Sequence, residues 1–126
     1  MTDCSYLPRD EAAAGRSRSR SSAIGRVVAH IEENYAEPLP LAELAQLADV
    51  SLYRFVTLFR QEVGMPPHRY LCHVRVREAM ALLRSGLPPA HAASEAGFFD
   101  QSHLARHFKR VCGMTPGQYA TETARP

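Results

Sequence analysis

Two stretches of this chain follow one pattern. A shift of 49 residues lays Ser51 on Asp100, Phe55 on Leu104, Phe59 on Phe108 and Arg60 on Lys109. The same shift lays Gly64 on Gly113, Met65 on Met114, Pro67 on Pro116 and Tyr70 on Tyr119. Each copy runs from a capping side chain through a stripe of apolar residues at helical spacing. It ends at a glycine suited to the left-handed position after a helix, with a proline soon after that opens the next one. A duplicated helical hairpin points to an all-α arrangement of two similar units. Alternating strand patterns and hairpin dipeptides are absent. With 126 residues and 45% hydrophobic side chains, the chain is expected to form one compact domain with a real core.

The rest of the chain fits around these copies. Ile24, Val27, Val28, Ile31 and Tyr35 share one face of a helix, with Ser21 or Ser22 as its cap and Glu37-Pro38 as its end. Pro40 opens a short helix, PLAELAQLA, that turns Leu41, Leu44, Ala45 and Ala48 inward. After a turn at Asp49-Val50, Ser51 caps LYRFVTLFRQEV. A longer helix from Pro67 to Arg84 has Tyr70, Leu71, Val74, Ala79, Leu82 and Leu83 as its inward residues, and Ser85-Gly86 closes it. Pro88-Pro89 opens AHAASEA, which stops at Gly97; Asp100 then caps QSHLARHFKRVC, and Thr115-Pro116 starts a last turn through Tyr119.

The expected organisation is therefore two helix–turn–helix units joined by a linker helix. The first unit covers about residues 23–66, the linker about 67–84 and the second unit about 87–120, with 121–126 as a tail. Residues 1–22, including Pro8, Gly15 and RSRSRSS, show no hydrophobic period and read as a disordered arm. That arm is either simply solvated or laid along a polyanion.

The formal net charge of +2 hides a split. Residues 1–50 sum to −3 and residues 51–119 to +5, which directs a polyanionic partner toward the second half. At 100° per residue, Tyr53, Arg54, Thr57, Arg60 and Gln61 lie opposite Phe55, Leu58, Phe59 and Glu62. Likewise Ser102, His103, Arg106, Lys109 and Arg110 lie opposite Leu104, His107, Phe108 and Val111. Both outward faces are cationic and hydrogen-bonding, without a single acid. A generic solvated helix mixes glutamate with arginine, whereas a helix meant for the major groove meets phosphates at every turn.

Other function classes find little support. No apolar run approaches the roughly 20 residues of a membrane span, and the start, MTDCSYLPRD, has no apolar signal region, so a cytoplasmic location is expected. Cys4, Cys72 and Cys112 are odd in number and lack CxxC spacing, which argues against a disulfide framework or a zinc site. His103 and His107 have an i, i+4 spacing that can bind zinc, but no third ligand accompanies them, so no metal is expected. Cys72, beside His73 and Arg75, reads as an activated thiol or as a plain helix cysteine, and Cys112 as a small core residue. With no catalytic triad, phosphate-cradling loop or paired carboxylates, a non-enzyme without cofactor is expected.

These residues together resemble the DNA-binding domain of the AraC/XylS transcription regulators. The resemblance runs from about Ile24 to Tyr119 and is most specific in GFFDQSHLARHFKRVCGMTPGQY, from Gly97 to Tyr119. LAELAQLADVSLYRFVTLFRQEVGMPPHRYL and RVREAMALLRSG extend it. It implies seven helices, with two recognition helices entering successive major grooves on one face of promoter DNA. It also implies a regulator, as an activator, that binds as a monomer at the nucleoid and touches RNA polymerase. The base readers it implies are Tyr53, Val56 and Thr57 in the first unit and Gln101, Ser102, Ala105 and Arg106 in the second. Arg54, Arg60, Gln61, His103, Lys109 and Arg110 are the implied phosphate neighbours. The guanidinium fork of Arg106 suits guanine O6 and N7, and Gln101 suits adenine or a phosphate.

Three departures bear on that reading. Thr57 stands where the family commonly has arginine, which shifts reading toward thymine methyl contacts or weakens it. Pro89 and Ala92 replace larger aliphatics, so looser packing is expected before Gly97. Asp49 replaces a frequent turn glycine, and aspartate tolerates the left-handed region better than most residues. The 22 or so residues ahead of the matched region are too few for a ligand-binding barrel. The chain therefore reads as a stand-alone regulator or as part of a longer one. The alternative is a truncated module that binds a full-length regulator or polymerase and holds DNA weakly.

Overall fold

The computed structural model describes residues 22–124, and among them every regular element is a helix. In chain order these are α1 (Ser22–Asn34), α2 (Leu41–Ala48), α3 (Leu52–Val63), α4 (Pro67–Arg84), α5 (Pro89–Ala96), α6 (Gln101–Cys112) and α7 (Pro116–Ala124). The expected N-terminal arm lies outside the described residues except for Ser22, which opens α1. The C-terminal end differs from expectation. Where a turn through Tyr119 and a tail were expected, α7 continues to Ala124. A reciprocal cap starts it: Gln118 N–H donates to Thr115 Oγ1 at 3.0 Å, and Thr115 N–H donates to Gln118 Oε1 at 2.9 Å.

The repeat reappears as matched hydrogen bonds and matched packing. Ser51 Oγ accepts from the Arg54 N–H at 3.2 Å, and Asp100 Oδ1 accepts from the His103 N–H at 2.8 Å. Phe59 meets Tyr70 with ring centroids 5.8 Å apart, and Phe108 meets Tyr119 at 5.5 Å. Ahead of the recognition helices the register is 48 rather than 49. Pro40, Ala45, Ala48 and the left-handed Asp49 (φ 59°) correspond to Pro88, Ala93, Ala96 and the left-handed Gly97 (φ 97°). The second turn is thus one residue longer, and the surplus residue, Phe99, is 88% exposed.

Two apolar cores flank α4. Tyr70, Leu71 and Val74 join Ile24, Val27, Ile31, Leu44, Phe55 and Phe59 in the first core. Cys72, Val76, Ala79, Met80 and Leu83 join Phe98, Leu104, Phe108 and Cys112 in the second. At 100° per residue these two sets lie on opposite sides of the linker helix. A search for one apolar stripe therefore finds only part of its buried surface. Cys72 is buried, and that burial raises its thiol pKa, so the activated-thiol reading does not hold. Before Gly97, where looser packing was expected from Pro89 and Ala92, Ala92 is wholly buried with Ala93 and Ala96, while Pro89 is half-buried. Small side chains let α5 lie close against its neighbours, which replaces the volume of larger aliphatics.

The units also meet directly. From α4, Arg75 Nε donates to the Tyr35 carbonyl at 2.6 Å, and its terminal nitrogen donates to the Glu37 carbonyl at 2.9 Å. These carbonyls follow the end of α1, where a cation is favoured by the unpaired acceptors and the helix dipole. Gly97, in the turn of the second unit, presses on the same spot. A Cβ there would stand 2.9 Å from both Ala36 Cα and the Tyr35 carbonyl oxygen. One turn away, Glu32 accepts from the Tyr70 hydroxyl and from Arg77.

Gly113 is a control for Gly97, because its φ is 82° but an added Cβ would meet nothing within 4 Å. Gly113→Ala should cost only left-handed strain, about 1–2 kcal/mol. Gly97→Ala adds a backbone clash and should cost about 3 kcal/mol or more. Urea unfolding of the two variants side by side checks this, and equal losses would contradict the close approach.

Candidate nucleic-acid interface

Each recognition helix is held by its core so that one face stays open. On α3, Phe55 and Phe59 are wholly buried while Tyr53 is 82% exposed. Arg54, Arg60 and Gln61 are exposed, and Val56 and Thr57 are half-buried. Tyr53, Val56, Thr57, Arg60 and Gln61 line one shallow groove. Val56 also packs against the first core, which limits it to a short apolar contact. The Thr57 hydroxyl donates to the Tyr53 carbonyl at 3.1 Å, leaving its methyl and oxygen lone pairs for a base edge.

On α6, Leu104 and Phe108 are wholly buried. Gln101, Ser102, Arg106, Lys109 and Arg110 are exposed, and Ala105 and His103 are half-buried. The exposed carboxylate at the start, Asp100, already accepts from the backbone of its own helix. Neither outward face carries a further acid, since Glu62, the acid within α3, is half-buried on the opposite side.

The two histidines of α6 are electrically different from the arginines. His103 Nδ1 accepts the Phe99 N–H at 3.1 Å, and His107 Nδ1 accepts from Arg110 at 2.6 Å. Each ring is therefore the neutral tautomer with its proton on Nε2. Burial, then the Arg110, His103, Arg106 and His68 charges, holds His107 down to about 4. Burial and Arg106 also lower His103, against a smaller opposing pull from Asp100. As a phosphate neighbour, His103 offers a neutral N–H donor rather than a cation. Both rings pack on Phe98, His103 edge-on at 5.4 Å and His107 stacked at 5.9 Å.

Among the described residues, no cluster of three or more histidine, cysteine, aspartate or glutamate side chains is arranged to hold a metal ion. Also among them, no helix is long and apolar enough to cross a membrane. Sequence reading left Phe99 and Arg75 without a role. Phe99 could have been found from the one-residue difference between the two turns. Arg75 had no local signal, because its partners lie about 40 residues away in the chain.

Comparison with known proteins agrees with this geometry. A family model for a helix-turn-helix domain matches residues 44–122. An uncharacterized HTH-type transcriptional regulator of Bacillus subtilis, YbfI, is 38% identical over 67% of this chain and 30% of its own length. A putative AraC-like transcription regulator of Streptomyces antibioticus is 34% identical over 76% of this chain and 32% of its own. The chain belongs to the AraC/XylS family of DNA-binding transcription regulators. Within that family, the HTH-type transcriptional activator RhaS of Escherichia fergusonii is 31% identical over 74% of this chain and 34% of its own. The crystal structure of the AdpA DNA-binding domain, in complex with a target DNA, superposes with a TM-score of 0.76 at 30% identity. That match covers 79% of this chain and 91% of the AdpA domain. The chain spans about a third of the length of the curated relatives it matches.

The neutral His107 has a measurable consequence. Its pKa is lower in the folded than in the unfolded chain, so the unfolded chain binds more protons between pH 6.5 and about 4. Stability contributed by the neutral ring is complete above pH 6.5 and is lost as pH falls through that window. A ring-proton NMR titration should give a His107 midpoint near 4. A midpoint at 6.5 would contradict the packing of α6 on Phe98.

Proposed function

We propose that this chain is a sequence-specific, double-stranded DNA-binding activator that reads two successive major grooves as a monomer. The observation that carries the proposal is the pair of repeat-related recognition helices with exposed, cationic, acid-free faces, borne on one shared linker helix. In this reading Tyr53, Val56 and Thr57 contact one box. Gln101, Ser102, Ala105 and Arg106 contact the other. Arg54, Arg60, Gln61, His103, Lys109 and Arg110 fix the register on phosphates. Boxes one helical turn apart, roughly 34 Å, would then lie on one DNA face.

Activation is supported by the similarity to RhaS, and the protein partner of that step would be RNA polymerase. The setting would be the cytoplasm, at the nucleoid, and no catalytic step is part of the reading. The rival reading, a partner-binding module with weak DNA affinity, leaned on Thr57 in the first recognition helix and on a weakly packed α5. The wholly buried alanines of that helix count against the second ground, and the basic outward faces favour DNA reading more strongly.

Selection of bound sequences from random duplex DNA, followed by footprinting, tests the proposal. Two short boxes about one turn apart are expected; salt-sensitive binding with no enriched motif would overturn it. On the selected site, Arg106→Ala should cost about 1–3 kcal/mol and should cost little on random DNA. Equal losses on both, measured by fluorescence anisotropy, would remove Arg106 from base reading.

A further inference from the structure

A cationic cleft lies beside the second reading face. Arg69, Cys72 and His73 of α4 form one wall, Arg110 and Val111 of α6 the other, and the space between is about 180 Å³. No carboxylate lines it. Arg110 stands one turn beyond Arg106 and is rotated about 40° from it around the helix, so the cleft flanks the reading face. The α4 residues that line it come from the same helical half that packs Tyr70, Leu71 and Val74 into the first core. The cleft therefore lies between the first-unit end of the linker helix and the recognition helix of the second unit.

The surroundings accumulate positive charge. Arg110 donates to His107 and stands beside the Cys72 thiol. His107 is kept from protonating partly by Arg110, Arg106, His103 and His68. Burial is the larger cause of that shift, and the lining of the cleft itself supplies the cations of Arg69 and Arg110 for an anion. The volume suits a phosphate group with a few waters, each occupying roughly 30 Å³.

We propose that this cleft binds one backbone phosphate of the DNA segment between the two boxes, held by Arg69, His73 and Arg110. The inference rests on the two-groove reading and places the spacer strand along this flank. It assigns Arg69 and His73 of the linker helix to the interface and makes the cleft sensitive to box spacing.

The test measures DNA affinity of the whole chain against salt, for wild type, Arg69→Ala and Arg84→Ala. Arg69 and Arg84 are exposed positions near opposite ends of α4. The duplexes are the selected two-box site, a random sequence, and two-box sites in which single spacer phosphates are replaced by neutral methylphosphonate. Arg69→Ala should lower the log–log salt slope by about 0.9 on both charged duplexes, and Arg84→Ala should not. One methylphosphonate position should weaken wild type and leave Arg69→Ala unchanged. An unaltered slope for Arg69→Ala, or equal losses at every methylphosphonate position, would overturn the proposal. If inorganic phosphate shifts the His73 ring resonance while no spacer position couples to Arg69, the cleft takes a free oxyanion, and the DNA assignment fails. If wild type shows no two-box preference, the two-groove reading fails, while the slope on random DNA still decides whether Arg69 meets a phosphate.

Discussion

The guanidinium of Arg75 ties the shared linker helix to the first unit at the spot where Gly97 of the second unit also packs. It donates to two carbonyls just past the end of α1, where unpaired acceptors concentrate negative potential. Gly97 closes over the same place because it has no side chain. A charge-assisted pair of hydrogen bonds contributes more than neutral bonds do, and its fork geometry fixes direction as well as distance. The consequence is angular. The end of α1, the middle of α4 and the turn before α6 meet at one point, so the two reading faces have a set relation.

The linker helix makes that junction stable. Each unit taken alone is a few short helices, too small to bury much of its chain. By presenting apolar residues on two opposite sides, α4 completes both cores at once. This two-sidedness is also why a rotation of α4 would disturb both units together. Under the proposed two-box reading, energetic coupling between the boxes would follow from this shared rigid element, without a separate signalling route.

Much of this was legible in the residues. The caps at Ser51 and Asp100, the left-handed Gly64 and Gly113, and the limits of the linker helix were all written in local chemistry, and the structure places them as expected. The outward faces were legible as well, because helical spacing separates Arg106 and Lys109 from Leu104 and Phe108. What stayed hidden was tertiary. Cys72, Val76 and Met80 were missed since an apolar stripe on each side of α4 blurs a search for one. The full burial of the α5 alanines was hidden because small residues read as lost volume rather than as closer approach. His103 looked like a cationic phosphate neighbour until its bond with Phe99 and its contact with Phe98 came into view. The continuation of α7 to Ala124 lacked an apolar period to announce it.

The central claim is that one chain holds two reading helices at a set angle. Its most direct test is affinity for two-box duplexes in which base pairs are added or removed between the boxes, with wild type and Arg75→Ala compared. Each base pair turns one box against the other by about 35°. Wild type should accept one spacing and lose at least about tenfold affinity at its neighbours, while Arg75→Ala should bind several spacings nearly alike. Equal tolerance of every spacing by wild type would contradict the account and leave the two units independent.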